Sequence, residues 1–491
     1  MSDLILDNRL RALENSLSKL QDDRAIVAVF KWTRTSNENF IWGQLWRVIA
    51  KAIQSHQLAI DVIRENLKAA AGLGAPAKTI AVGACWADYF RLTNLREGSP
   101  EVFQAAGGGS PIVVENSPRE IFQECLDLIC GLAFRSNDFG ANICQFADEL
   151  IVSFARGFYF ETSHPTVPAS REVLTLTLSR VLRHRYSEWS VWSLPLIVHD
   201  FGHIVWQHKD FKWLRDASPD ILSRLAACDP ELTSFDEKIL KDAVADADAE
   251  VKEEAKRRAA ESRAPIETQA AERALNDLQE YFADAFGTLV MGPAYPCAAI
   301  HVRLNPEFPG DEPGGEHRTD HERAEVILSF LEKMNKLTDT LDKPYTGTLL
   351  RLRADWDAMV KQANIGRSRD PAAWAEKQKA VNLVIDWLWE KFQSRRSLWE
   401  AIYPNKSGSA VMEEGWNIAT SWRDSLLKDE VPEVPDNRML RDALNAGWAC
   451  RIVPEALDPK RPEQLEKRVV GICDKIIKSR LGDSGSEKKT K

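Results

Sequence analysis

Apolar residues recur every three or four positions through most of this chain, the period of a helix that buries one face. Leu6, Leu10, Leu13, Leu17 and Leu20 set the pattern at the start; it returns over 40–71, ending at Gly72 and Gly74, and again over 117–160. Period-two stretches are few. Residues 25–30 (AIVAVF), and Leu174, Leu176 and Leu178 alternating with threonine and serine, fit strands, although a helix fits the second almost as well. Residues 107–111 (GGGSP) read as a loop, and 164–170 (HPTVPAS), with two prolines, as a boundary. The expected fold is mainly α, a multi-helix protein with at most a small sheet.

Two stretches depart from the amphipathic rule. Residues 194–208 (LPLIVHDFGHIVWQH) are apolar all round except for His199, Asp200, His203 and the last two positions, which predicts a buried helix. Residues four apart lie on one helical face, so His199 and His203 point the same way and can share a metal ion. In 277–292 (DLQEYFADAFGTLVMG) the spacing puts Leu275, Leu278, Phe282, Phe286 and Leu289 on one face and Glu280 with Asp284 on another. Two histidines and a glutamate are a known zinc ligand set, so His199, His203 and Glu280 are the candidate ligands of a Zn2+ ion. The plainer alternative is a pair of core histidines satisfied by hydrogen bonds. HxxxH spacing decides little alone, since His317 and His321 form a second pair; burial is what favours the first, because an unpartnered imidazole in an apolar helix is costly.

Between these stretches, 236–263 is dense in Ala, Glu, Lys, Arg and Asp behind a capping box of Ser234 and Glu237, and reads as a solvated helical insertion near 234–264. A loop rich in Pro, Gly and acid (305–316) precedes a second capping box, Thr319 with Glu322, opening a helix to about residue 337. These boundaries divide the chain into an N-terminal helical region (1–163), a metal-binding core (164–340), a tryptophan-rich C-terminal helical region (341–481) interrupted at Pro432 and Pro435, and a disordered tail (482–491).

With 44% hydrophobic and 28% charged residues over 491 positions, the chain has enough apolar surface for a sizeable core. A net charge of −9 gives no global basic field, which argues against nucleic acid as partner and for a peptide, protein or small-molecule substrate. None of the eight cysteines forms a CxxC pair, as expected of free thiols in a reducing cytoplasm. The N-terminus lacks an apolar signal core and no run reaches the length of a membrane span, so neither export nor membrane insertion is expected. Trp189, Trp192, Trp206 and Trp213 crowd the histidine helix and are expected to pack the core rather than stack on substrate. Tyr281 and Tyr295 are candidates to stabilise an oxyanion, against the commoner reading of buried tyrosines with one hydrogen bond each. His317 and Arg323 lie near a helix start from which they can reach the site, although exposed residues there need no function.

On the HDFGH and EYFAD segments the chain resembles the gluzincin metallopeptidases, whose pattern is HExxH followed downstream by ExxxD. The resemblance implies a zincin-like core in which His199, His203 and Glu280 bind zinc, Asp200 is the general base, and Asp284 orients the first histidine. It covers roughly 194–323, where Gly287 to Tyr295 (GTLVMGPAY), followed by His317 and Arg323, is also similar to uncharacterised bacterial zincin-like proteins with a GPAY stretch. The implied function is zinc-dependent hydrolysis of a peptide or amide bond. Asp200 stands where that family has glutamate. A carboxylate drawn back by about 1 Å can lower the rate on the order of 100-fold, so a slow enzyme, or a degenerate zincin acting as a binding or scaffold protein, is a further expectation.

The same aspartate opens a rival. HDFGH also resembles the HD-domain phosphohydrolases, in which an adjacent His-Asp pair binds metal with an earlier histidine and a later aspartate. His164 or His184, and Asp277 or Asp284, are the residues of this chain that would complete that set.

Overall fold

The computed structural model describes residues 2–21, 54, 57–98, 191–207, 212–228, 249–307, 320–337, 344–366, 371–394, 408–428, 430–435, 438–452 and 461–486. Every regular element among them is helical, in agreement with the mainly α expectation. Both strand expectations, at 25–30 and 174–178, lie outside the described residues, as do the GGGSP loop, the Ser234 capping box, and His164, His184, His208 and His317.

The N-terminal region contributes α1 (Ser2–Gln21), α2 (57–71) and α3 (Ala75–Gly98). On α1, Leu6, Leu10 and Leu13 are buried as their spacing predicts. The histidine stretch opens with a 3-10 turn, Leu194–Leu196, whose Pro195 suits a first turn because its missing N–H has no intrahelical partner there. It continues as α4 (Ile197–Gln207), and Arg215 caps it by donating to the Trp206 carbonyl. Short helices α5 (Lys212–Asp216) and α6 (Pro219–Ala227) follow.

The charged insertion is not separate from the helix that bears Glu280. From Ala249 it runs without a break into α7 (Ala249–Met291), a 43-residue helix. At about 1.5 Å per residue it spans roughly 65 Å, its first half carrying charge and its second half inside the protein. Leu275 belongs to neither a buried face nor the core: Ala270, Ala274 and Asp277 around it are buried, while Leu275 is 38% exposed. Beyond Glu280 every residue of α7 is buried, so the expected division into an apolar and a carboxylate face gives way to burial all round, with Asp284 and Thr288 enclosed.

Gly292, at φ +64°, ends α7 in the left-handed conformation that favours glycine, and its N–H bonds the Thr288 carbonyl at 2.8 Å. The corner is held from across the fold: Asn445 accepts from Ala294 N–H at 2.8 Å and donates to the Met291 carbonyl at 2.9 Å. Next come α8 (Ala294–Ala298) and a π turn, Ala299–Arg303. The remaining helices are α9 (Asp320–Lys336), α10 (Thr346–Ala363), α11 (Pro371–Ser394), α12 (Gly408–Leu427), α13 (Leu440–Arg451) and α14 (Arg461–Ser486), the last extending into the stretch expected as a tail.

The second half of α7 is the axis of the packing. α4, α6, α9 and α11 lie against it, α8 joins it to α13, and α1 and α3 reach it through α10 and the π turn. One hydrophobic core draws on residues from Ile5 to Ile477, so all three expected regions enter it. Trp192 and Trp206 belong to this core, edge-on to Trp448 at 5.6 Å and tilted against Phe282 at 5.1 Å. They pack as expected.

Candidate metal centre

α4 and α7 meet at unusually short range where Gly202 faces Ala283: a Cβ at position 202 would stand 2.9 Å from the Ala283 Cα. This approach brings the four-residue steps of the two helices together. His199 and His203 face Glu280 and Asp284 across the contact. His199 Nε2 lies 3.3 Å from His203 Nε2 and 3.3 Å from Glu280 Oε2, and His203 Nε2 lies 3.3 Å from Glu280 Oε1. One ligand atom from each of the three residues fits within 4.8 Å of the others, as a group that can hold a metal ion requires. His199 is 1% exposed, against 27% for His203 and 20% for Glu280, so solvent reaches the cluster from the His203 and Glu280 side.

Asp284 stands behind His199 and is fully buried. Its Oδ1 accepts from His199 Nδ1 at 3.0 Å, the Tyr295 hydroxyl at 2.5 Å and Arg323 Nη2 at 2.9 Å, while Oδ2 accepts from Arg323 Nε at 2.8 Å. Burial alone pushes this carboxyl up, but the Arg323 and His199 charges and hydrogen bonds outweigh it and hold Asp284 well below the usual carboxylate range. An ionised Asp284 only accepts, so Nδ1 of His199 carries a proton and donates it. In a neutral His199 the lone pair is then on Nε2, and acceptor atoms converge at 3.3 Å. A cation resolves that convergence, either a shared proton or a metal. Glu280 sits in the same field: burial raises it, and hydrogen bonds to both histidines with the Arg323 charge bring it far below its ordinary value.

Arg323, expected to reach the site from a helix start or else to lie exposed there, does reach it and is buried, with a side chain 7% exposed. Its burial and its hold on two carboxylates went beyond that expectation. The whole first turn of α9 is committed in the same way. Asp320 accepts the Asn305 N–H at 2.7 Å, His321 Nε2 donates to the Pro306 carbonyl at 3.0 Å, and Glu322 accepts the Tyr281 hydroxyl at 2.8 Å. Tyr281 is thus satisfied away from the histidines. The capping box expected of Thr319 and Glu322 involves Thr319, which lies outside the described residues; Glu322 holds the Tyr281 hydroxyl of α7.

Tyr295 reaches Asp284 because Gly287 leaves its ring room; a Cβ on Gly287 would stand 2.8 Å from the ring. Its hydroxyl also lies 3.3 Å from His199 Nδ1, on the side of the imidazole away from the ligand cluster. Asp200, beside His199 on α4, is partly exposed and not among the three clustered ligands. His317 lies outside the described residues.

No known family model, curated protein or solved structure matches this chain. Among the described residues, no helix is long and apolar enough to cross a membrane, and Cys85, Cys297, Cys450 and Cys473 are free thiols.

Proposed function

We propose that this protein is a zinc-dependent hydrolase that cleaves a peptide or amide bond, with His199, His203 and Glu280 as the zinc ligands. The 3.3 Å between His199 Nε2 and His203 Nε2, with a Glu280 oxygen 3.3 Å from each ring, carries the reading. Tetrahedral zinc with bonds of about 2.0–2.1 Å needs ligand-to-ligand edges of about 3.3–3.4 Å, the separation the two imidazole nitrogens already have. Three protein ligands leave the fourth tetrahedral position open, which distinguishes a catalytic site from a structural one. Bound zinc supplies Lewis acidity, polarising a carbonyl and making water a nucleophile near neutral pH.

The chain's own residues do the rest. Asp284, Tyr295 and Arg323 hold His199 in the tautomer that presents Nε2, which makes support of the ligand, rather than contact with substrate, the task of Tyr295. The partly exposed side of His203 and Glu280 admits the substrate. Asp200, the one carboxylate on α4, accepts a proton from the attacking water and passes it to the leaving amine. Among the described residues the HD-type alternative fits less well, because the clustered set includes His203 and Glu280 but neither Asp200 nor Asp277, and Asp284 is occupied by Arg323 behind His199.

Elemental analysis of the purified protein should give about one zinc per chain. Asp200→Asn should keep that zinc and lower cleavage of a peptide library by roughly 100-fold or more. Two equivalents of iron or manganese with phosphodiesterase activity would overturn the proposal in favour of the HD-type reading, as would loss of metal in Asp200→Asn. A zinc-loaded protein that cleaves nothing while its Asp200→Glu variant does would identify a binding protein on a degenerate zincin site.

A further inference from the structure

Glu280 and Asp284 are carboxylates four residues apart on α7, and both touch His199, Glu280 at Nε2 and Asp284 at Nδ1. Nothing in their chemistry makes one a ligand and the other a support. They face opposite nitrogens of the ring, and a single guanidinium holds each in its place. Arg323 forks onto Asp284 through Nε and Nη2, at 2.8 and 2.9 Å, and with the Tyr295 hydroxyl and His199 Nδ1 it brings four donors onto that carboxylate. Its third nitrogen, Nη1, lies 3.4 Å from Glu280 Oε2, while Glu280 Oε1 faces His203 Nε2. The planar fork thus spans both carboxylates from α9, a geometry lysine cannot reproduce with its single ammonium.

We propose that Arg323 is a positioning residue that sets the coordination number of this site: it keeps Asp284 off the metal and engages one oxygen of Glu280, so that Glu280 binds through the other alone. The inference rests on the reading of His199, His203 and Glu280 as metal ligands and extends it to selectivity. Two imidazoles and one carboxylate oxygen suit a four-coordinate ion such as zinc or cobalt(II). A Glu280 free to chelate through both oxygens, or an Asp284 free to swing in, adds oxygen ligands and favours ions of higher coordination such as manganese.

Cobalt(II) is the probe, because four-coordinate cobalt absorbs visible light several-fold more strongly than the five- or six-coordinate ion. In the full-length protein, the wild type should show the intense bands, and Arg323→Lys, which keeps a positive charge beside Asp284, should lose most of that intensity while retaining its helical circular dichroism. Its preference for zinc over manganese in competition should fall by about tenfold or more, the scale on which groups behind the ligands act. Arg323→Lys with wild-type bands and preference would overturn the proposal. X-ray absorption on the cobalt-loaded wild type tests it without a variant: one carboxylate oxygen at bonding distance is expected, and two would overturn it. A wild type that binds no cobalt, or a His199→Ala variant that binds it normally, would overturn the metal site and the role of Arg323 with it. An altered Arg323→Lys cannot arise in that way.

Discussion

Asp284 and Glu280 differ in what a neutral substitute leaves behind. Asp284→Asn strips the buried Arg323 of its bidentate partner, and an uncompensated buried charge costs about 3–5 kcal/mol. It also releases the His199 tautomer, which should weaken zinc binding by roughly 10- to 100-fold. Glu280→Gln should abolish zinc binding and also lower the stability of the metal-free protein, because the histidines and Arg323 favour the ionised carboxylate, but by less than Asp284→Asn since Glu280 is partly exposed to solvent. Urea unfolding in chelator, paired with zinc competition, separates the two; equal loss of stability in both variants would mean that Asp284 and Glu280 share one role. Both carboxylates were legible in the sequence because two four-residue steps, one in each helix, are a pattern that spacing reveals. The hold of Arg323 on both was not. A lone arginine in the first turn of a helix looks like any solvated cation, and only the tertiary approach of α9 to α7 gives it two carboxylates to hold.

At the scale of helices, the site depends on how closely α4 approaches α7, and that closeness is written in a glycine. The Cβ of Gly202→Ala would meet backbone, the Ala283 Cα at 2.9 Å, which cannot rotate away. The helices must therefore separate, at an overpacking cost of about 1–3 kcal/mol, and the His199 to Glu280 distance should open with them. Zinc affinity should fall even though no ligand has changed. Gly471→Ala on α14 is the control, since nothing lies within 4 Å of its added Cβ; it should leave zinc binding intact and stabilise the protein by about 0.5–1 kcal/mol. Thermal denaturation with zinc titration reads both effects, and a Gly202→Ala protein with unchanged affinity would show that the site tolerates a wider helix pair. The buried character of α4 was legible because its apolar residues go all the way round. The continuity of α7 was not: a change from charged to apolar composition looks like a boundary between two elements, but Ala, Glu, Lys and Arg are strong helix formers and carry the helix straight through it. Leu275 was misplaced for another reason: the face of α7 that is buried at this point carries Ala270, Ala274 and Leu278, and Leu275 stands beside it, 38% exposed.

Across the whole molecule, a second buried polar group ties the N-terminal region to the segment that carries Tyr295. Arg9 on α1 donates to the carbonyls of Ile300, His301 and Leu304, at 2.7, 2.9 and 3.1 Å, closing the end of the π turn. From α10, Asp355 lies 3.3 Å from His301 Nε2 and takes Arg351 at 2.9 Å. No motif announced this arrangement, because its members come from distant parts of the chain. Burial pushes the His301 imidazole down; Asp355 raises it, Arg451 and Arg9 oppose that, and the net shift is downward. Asp355 is pushed up by burial, but His301 and Arg351 bring it below its usual value. Each group is therefore harder to protonate in the folded protein than in the unfolded chain. Stability from His301 is complete above its ordinary pKa of about 6.5 and is lost as pH falls toward its folded value; that from Asp355 is complete above about 3.9 and lost below. The metal-free protein should lose stability in two acid steps. His301→Gln should flatten the first, between about pH 6.5 and 5, by up to about 1.4 kcal/mol per pH unit, and Asp355→Asn should flatten only the second. Urea midpoints measured across this range decide it, and a His301→Gln curve that parallels the wild type from pH 7 to 5 would place the first step on another histidine.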